Sequence, residues 1–296
     1  MRRALFIANR FAGGDTRVAD AAVESARAAG WEASAVWSEI RGHAVLLSEE
    51  AALRGTELVV SVGGDGTARE VAAGLSGTDS VMGFVPAGTG NSSFRELFGT
   101  RSWQDVLSAA LQDLRWRAVD LGRVDPTGEV SLLGFSVGWF AQVIAIARTH
   151  EELSGAGKYM VAALEAVANP VAFEATVTVD GRRLASGSLG LVAVGGARVR
   201  AAVFPVLPGS LIDDGLLDVV VFEHAPADEF RARLERVQAG THLESAGVFA
   251  GRGSSIEIAS GMPLPAEVDG DAWERDVASC TVTAMPGALR VTAVPN

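Results

Sequence analysis

Two glycine-rich loops hold the residues of this 296-residue sequence whose types and spacing best suit chemistry. The first is Val62-Gly63-Gly64-Asp65-Gly66-Thr67, set between a strand pattern and a helix pattern. Glycines let the backbone turn sharply there and approach a phosphate without interference from a Cβ. The helix that follows offers free N–H groups and the positive end of its dipole to an anion. Asp65 can orient a magnesium ion or a proton on a substrate hydroxyl. The same residues also fit a plain turn with Asp65 or Thr67 as helix cap. Neither the GxxxxGK[ST] phosphate loop nor the GxGxxG dinucleotide fingerprint is present. The second loop, Val85-Pro86-Ala87-Gly88-Thr89-Gly90-Asn91, repeats the order strand, loop, helix. Two such loops at adjacent strand ends of a parallel sheet converge on its C-terminal edge, where open α/β sheets bind ligands. Thr89 and Asn91 can reach phosphate oxygens, and Asn91 also suits an N-cap.

Two acidic clusters lie far downstream. Leu211-Ile212-Asp213-Asp214-Gly215-Leu216-Leu217-Asp218 sets adjacent carboxylates beside a glycine turn. With the Leu211 and Leu216 carbonyls it offers the oxygen donors a hard cation takes. Glu267-Val268-Asp269-Gly270-Asp271 joins an Asp-Gly turn to a further carboxylate. For each cluster the plain alternative is an acidic turn at a strand end.

The elements that position these groups follow from hydrophobic patterning. Short apolar strands at 4–7, 33–37, 57–62 and 81–85 alternate with helices opening at Asp15/Thr16 and over 43–54, 67–75 and 103–113. Ser102 to Asp105 reads as a capping box for the last of these. This rhythm predicts a parallel sheet covered on both faces. After about residue 118 the pattern turns mainly β, with strands at 173–179, 184–194, 216–222, 255–258 and 280–284. Asp180-Gly181 signals a type I′ hairpin between the first two. Two helices, 158–167 and 227–238, interrupt this half.

Composition bounds the partners. Thirty-six acids against 25 bases leave a net charge of −11, spread along the chain. Such a balance excludes nucleic acid as the main partner, because phosphate backbones need a basic footprint. The lone Cys280 forms no intramolecular bridge. The N-terminal apolar run ends at Asn9-Arg10, too short for a signal peptide. The weakly polar stretch 131–147 is too short to span a bilayer. The expected location is the cytoplasm, with peripheral membrane contact open.

Taken in order, GGDGT, PAGTGN, DDGLLD and VDGD resemble the diacylglycerol kinase catalytic family, which includes bacterial lipid kinases and sphingosine kinases. Residues 9–14 resemble its Asn-Pro-x-Ser-Gly opening, with Arg10 at the proline position. Ser38-Glu-Ile-Arg-Gly42-His43-Ala44 is similar to its Thr-x-x-x-Gly-His-Ala segment. Gly157-Lys158-Tyr159 and Pro286-Gly-Ala-Leu-Arg-Val291 resemble its Gly-Lys region and closing strand.

The resemblance implies an α/β nucleotide domain with a parallel sheet of the NAD kinase/phosphofructokinase kind, residues 1–120 plus 286–296. A β-sandwich-like lipid-substrate domain, 121–285, is implied with it. It further implies an ATP- and Mg²⁺-dependent kinase that phosphorylates a hydroxyl of a diacylglycerol- or sphingosine-like lipid, with ATP in the cleft between the domains. ATP contacts would come from Asn9, Ser38, Gly63, Gly64, Asp65, Gly66, Thr67, Ala68, Arg69, Gly88, Thr89 and Asn91. Leu211, Asp214 and Leu216 match a metal site. Asp271 falls where the family has the glutamate of Asp-Gly-Glu as proton acceptor, with Asp65 and Asp269 as the other catalytic carboxylates. The partner is then a lipid or lipid-like small molecule met in transient contact with a membrane surface, and a homodimer is compatible with it.

Three departures stand out. Ser92 takes the place of an aspartate found in many bacterial members. Phe140 replaces the carboxylate of a Gly-Phe-Asp-Ala stretch, and Ala201-Ala202 replaces Gly-Gly. Trp139, Phe140, Val143 and Ile146 suit an apolar wall for the lipid or ordinary core packing. The rival readings are a kinase for a soluble alcohol and a catalytically inactive lipid- or nucleotide-binding protein.

Overall fold

The computed structural model describes residues 1–9, 16–150, 152–153, 155–200, 203–273 and 278–294. The loop expected at 10–14, the helix start at Asp15 and the pair Ala201-Ala202 lie outside the described residues. The chain divides into two compact units, Met1–Leu121 with Gly287–Asn296, and Gly122–Pro286.

The first unit alternates β1 (Arg3–Asn9), α1 (Thr16–Ala28), β2 (Glu32–Ser38), α2 (His43–Leu53), β3 (Leu58–Gly63), α3 (Asp65–Leu75), β4 (Val81–Pro86), α4 (Ser92–Phe98) and α5 (Trp103–Gln112). Its strands run parallel in the order β2-β1-β3-β4, and Arg290 and Val291 of the closing strand add beside Val81 and Met82. β3 is buried along its whole length, as a strand with both faces covered must be. Phe6, Leu58, Val60 and Val62 pack with Ala22, Val23 and Ala26 of α1 and with Leu107 and Leu111 of α5. Ile7, Val59 and Met82, opposite by strand alternation, are buried as well. α2 and α3 approach closely at Gly74, where a Cβ would lie 2.1 Å from Ser48 Oγ. Ser102 caps α5 by accepting the Asp105 N–H at 3.1 Å. Register sets Asn9 beside Ser38 and Gly63 beside Pro86, so the candidate loops of this unit share one sheet edge.

The second unit takes in the end of β5 (Trp116–Asp125), which forms a hairpin with β6 (Glu129–Ser131). Then come β7 (Phe135–Gly138), α6 (Trp139–Thr149), α7 (Gly155–Ala168), β8 (Phe173–Val179), β9 (Arg182–Gly195), β10 (Leu217–Glu223), α8 (Ala227–Ala239), β11 (Val248–Gly253), β12 (Ser255–Ser260), β13 (Ala266–Val268), β14 (Asp271–Trp273) and β15 (Ser279–Thr292). Its antiparallel strands follow the order β14-β13-β7-β9-β8-β12-β15, with β10 and β11 joined through β9. Asp180 and Gly181 have φ 46° and 77°, the left-handed pair of a type I′ hairpin. One core joins Phe135, Val177, Leu189, Val219, Ile258 and Val282 across these strands, giving a β-sandwich-like body. A second core packs α6, α7 and α8 against β9 and β10. α6 lacks a sequence signal because Trp139, Phe140, Ala141, Val143 and Ile144 are all buried, which leaves no clean polar stripe. The segments expected as separate strands at 280–284 and 286–291 form the single strand β15.

Candidate functional site

In the first unit, two glycine loops touch backbone to backbone. A Cβ on Gly88 would lie 2.3 Å from the Gly64 Cα, and one on Gly90 would lie 2.9 Å from Asp65 Oδ2. These glycines are therefore required by the meeting of the loops themselves. The 88–91 loop closes on its own residues: Gly88 N–H donates to Asn91 Oδ1 at 3.0 Å, and Asn91 Nδ2 donates back to the Gly88 carbonyl at 2.8 Å. Asn91 has φ 51°, a left-handed conformation that asparagine tolerates.

Asp65 joins the loops electrostatically. Its Oδ2 accepts the Ser92 N–H at 3.0 Å, and its Oδ1 accepts the Ser93 N–H at 2.8 Å and the Ser93 hydroxyl at 2.9 Å. The carboxylate thus sits on the N-terminus of α4, where its charge meets the helix dipole. The N-cap of α3, by contrast, is Gly64, which has no side chain to cap the helix. Its first-turn amides are the donors an anion needs. Asn9 Nδ2 reaches Thr67 Oγ1 at 3.4 Å and ties the end of β1 to that turn. Ser61, Gly63, Gly64, Asp65, Asn91 and Ser93 line a recess of about 10 Å³, room for roughly one water.

Not every expected ATP contact presents a side chain. Ser38, Thr67, Ala68 and Arg69 are buried, and the Ser38 hydroxyl donates to the Ala8 carbonyl at 3.4 Å. Gly64, Asp65 and Gly66 are half-buried, and Thr89 is exposed. Glu70 has a role the sequence did not signal. Its carboxylate accepts the Gly42 and Ala44 N–H groups at 2.8 and 3.1 Å, capping α2 and fixing the 38–44 segment.

In the second unit, Asp269 is buried and clamped. Its oxygens accept the N–H groups of Leu132, Leu133 and Gly134 at 2.7, 2.9 and 2.7 Å. That geometry makes it an anchor for the 132–134 segment. Asp271 follows as the first residue of β14 and is half-buried. The acidic turn at 211–218 is held by Arg252. Asp214 Oδ1 accepts the Leu216 N–H at 3.1 Å, and Oδ2 lies 3.3 Å from the Arg252 guanidinium. Arg252 also grips both Asp218 oxygens, at 3.0 and 3.1 Å, and the Gly209 carbonyl. Asp218 chiefly, with Asp214 adding to it, raises the Arg252 pKa. Trp139, Phe140 and Val143 are core: Trp139 packs against Phe140, Phe204 and Phe230 with ring centroids 5.2–5.7 Å apart. Ile146 packs against the same cluster from its edge. No apolar lipid wall is available from this set.

Comparison with known proteins decides the family. Residues 3–124 match the diacylglycerol kinase catalytic domain, and residues 134–293 match the YegS C-terminal NAD kinase beta sandwich-like domain. The chain is 31% identical over 279 residues to the "Probable lipid kinase YegS-like" of Pseudomonas fluorescens, covering 92% of this chain and 89% of that one. The chain belongs to the diacylglycerol kinase family. A Bacillus subtilis diacylglycerol kinase is 25% identical over 248 residues, covering 82% of this chain and 80% of its own. A crystal structure of a diacylglycerol kinase from Bacillus anthracis has the same fold, with TM-score 0.79 and 21% identity over 99% of this chain and 98% of that one. The family is one of phosphotransferases with alcohol acceptors. No helix among the described residues of this diacylglycerol kinase family member is long and apolar enough to cross a membrane.

Membership implies ATP and a divalent cation, and the two fare differently. The first turn of α3, with Gly64 as N-cap and the Asp65 charge drawn away onto α4, fits the phosphates of ATP. The 211–218 turn does not fit a resident cation. Asp214, its one expected side-chain ligand, already faces a guanidinium and an N–H. Among the described residues no three His, Cys, Asp or Glu side chains cluster as a metal site.

Proposed function

We propose that this chain is a lipid kinase that takes MgATP as phosphoryl donor and a hydroxyl of a diacylglycerol- or sphingosine-like lipid as acceptor. The observation that carries the reading is the N-terminus of α3, with Gly64 as its N-cap, beside the Gly64–Gly88 contact. Backbone amides of residues 64–67 hold the phosphates, Thr89 supplies a hydroxyl, and Asn9 and Asn91 keep the two loops in shape. The first unit is then the nucleotide domain and the second the lipid-substrate domain. The relatives' names support this class, as "lipid kinase" and "diacylglycerol kinase".

In the transfer, the acceptor oxygen forms a bond to the γ-phosphorus while the bond from that phosphorus to the bridging oxygen of ADP breaks. The hydroxyl proton must leave. The base in this reading is Asp271, which stands where the family has the glutamate of Asp-Gly-Glu. A base acts within about 2.6–3.2 Å of the proton it takes, directly or through one water. Asp271 is one methylene shorter than the family glutamate, which suits the water-bridged case.

The test is Asp271→Asn, assayed with ATP and dioctanoylglycerol in detergent micelles. Turnover should fall about 10²–10⁴-fold while ATP affinity by titration calorimetry stays at the wild-type value. A loss below about tenfold would remove Asp271 from the reaction. ATP binding with no turnover in wild type over a panel of lipid alcohols would favour an inactive binding protein.

A further inference from the structure

Beneath the turn that presents Asp271 lies a buried ion pair that the reaction does not use directly. Arg200 and Glu267 are each only 3% exposed, and Arg200 Nη2 bonds Glu267 Oε1 and, at 3.2 Å, Ser136 Oγ. Ser136 and Glu267 are register partners across β7 and β13, so the guanidinium closes one rung of that ladder. The second oxygen of Glu267 accepts the Gly270 N–H at 2.7 Å. Asp269 and Gly270 form the two-residue turn between β13 and β14, both left-handed with φ 50° and 88°, and Val268 pairs with Asp271 across it. The turn is therefore gripped twice. Asp269 holds the 132–134 amides on one side, and Glu267 holds the Gly270 amide on the other. Arg200 lies against the first grip as well, since a Cβ on Gly134 would stand 3.0 Å from its Nη1.

A buried ion pair is a weak device for stability, because taking both charges out of water offsets their attraction. Its use here is geometric. Glu267 accepts the Gly270 N–H with one oxygen while Arg200 holds the other, so the guanidinium fixes the orientation of the carboxylate. We infer that Arg200 and Glu267 are positioning residues for Asp271: the pair locks the Asp269-Gly270 turn and so fixes where the first residue of β14 places its carboxylate. This rests on the reading of Asp271 as the base. Misplacing a reacting group by about 1 Å costs on the order of 10²-fold in rate, so such a lock has a measurable consequence.

Two double variants that differ at one side chain test the inference. Arg200→Met with Glu267→Leu removes the charges and the acceptor for Gly270. Arg200→Met with Glu267→Gln removes the charges but keeps an amide oxygen facing Gly270. Both should fold, since apolar replacement of a buried pair is often neutral. With ATP and dioctanoylglycerol micelles, the leucine double should lose about 10–100-fold in kcat, with KM for ATP unchanged and the kcat–pH profile displaced. The glutamine double should recover most of that loss. Amide exchange at Gly270 should be slow in wild type, fast in the leucine double and slow again in the glutamine double. Wild-type kcat and pH profile in the leucine double would overturn the inference, as would equal losses in both doubles. A fast-exchanging Gly270 amide in wild type would overturn it without any variant. Asp271→Asn in the same assay separates the two claims. If that variant retains turnover, the base assignment fails while exchange still reports on the lock; if it is dead and the leucine double is not, the lock alone fails.

Discussion

Two of the four Asp-Gly steps in the chain are used by the fold in opposite ways. Asp65-Gly66 opens α3 behind its N-cap Gly64, while the Asp65 carboxylate reaches across to the first amides of α4. Asp269-Gly270 turns a tight hairpin, and its carboxylate is buried on the amides of residues 132–134. One step exposes donors to an incoming anion, and the other consumes its own anion to satisfy donors. An Asp-Gly pair therefore does not declare whether its carboxylate is reagent or scaffold. The amides that fall within reach decide it, and they come from elsewhere in the chain.

The largest effect should follow from Asp269→Ala. Three buried N–H groups would lose a charged acceptor, which costs about 3–5 kcal/mol by urea unfolding. Asp65→Ala, which removes a half-buried helix cap, should cost only about 1–2 kcal/mol. Equal losses would erase the contrast between the two steps.

Gly88→Ala sharpens the first half of the comparison. Its methyl would meet the Gly64 backbone at 2.3 Å, so the loops must part. Overpacking of this kind costs about 1–3 kcal/mol. ATP affinity should weaken by about tenfold, equivalent to 1.4 kcal/mol, because the α3 amides move with Gly64. Unchanged ATP affinity in calorimetry would detach nucleotide binding from this contact.

Arg252→Gln addresses the other acidic turn, where an internal cation stands at the place expected for a metal. Exposed ion pairs contribute about 0–1 kcal/mol, so wild-type stability should change little on substitution. The melting temperature of wild type should be indifferent to Mg²⁺, and that of the variant should become Mg²⁺-dependent once Asp214 and Asp218 face each other without a cation. A wild-type melting temperature that rises with Mg²⁺ would restore Leu211, Asp214 and Leu216 as a metal site.

The smallest effect concerns a buried group with half its hydrogen-bonding capacity met. His242 donates Nε2–H to the Val206 carbonyl at 3.0 Å, while its Nδ1 is buried with no hydrogen-bond partner among the described residues. Burial lowers its pKa below the usual 6.5. The unfolded chain then binds the extra proton first, so this contribution to stability is complete above about pH 6.5 and is lost as pH falls through the depressed folded value. His242→Gln keeps the donor without the titration, and its melting temperature should fall less steeply below that pH.

What the sequence determined by itself was local. Strand–helix alternation, the two glycine loops, the Asp180-Gly181 hairpin and the Ser102 cap all depend on residues within a few positions of one another, where dihedral preference and periodicity act. The order of motifs along the chain carried the family in the same way. Tertiary structure decided which carboxylates were committed. Asp65 meets Ser92 across 27 residues, Glu70 meets Gly42 across 28, Arg200 meets Glu267 across 67, and Asp269 meets Leu132 across 137. A buried amide must find an acceptor wherever the fold supplies one, and an acidic side chain carries no local mark of the amide it will meet. The same holds for Trp139 and Phe140, whose large apolar side chains suit a lipid wall or a core equally until α7, α8 and β10 close over them.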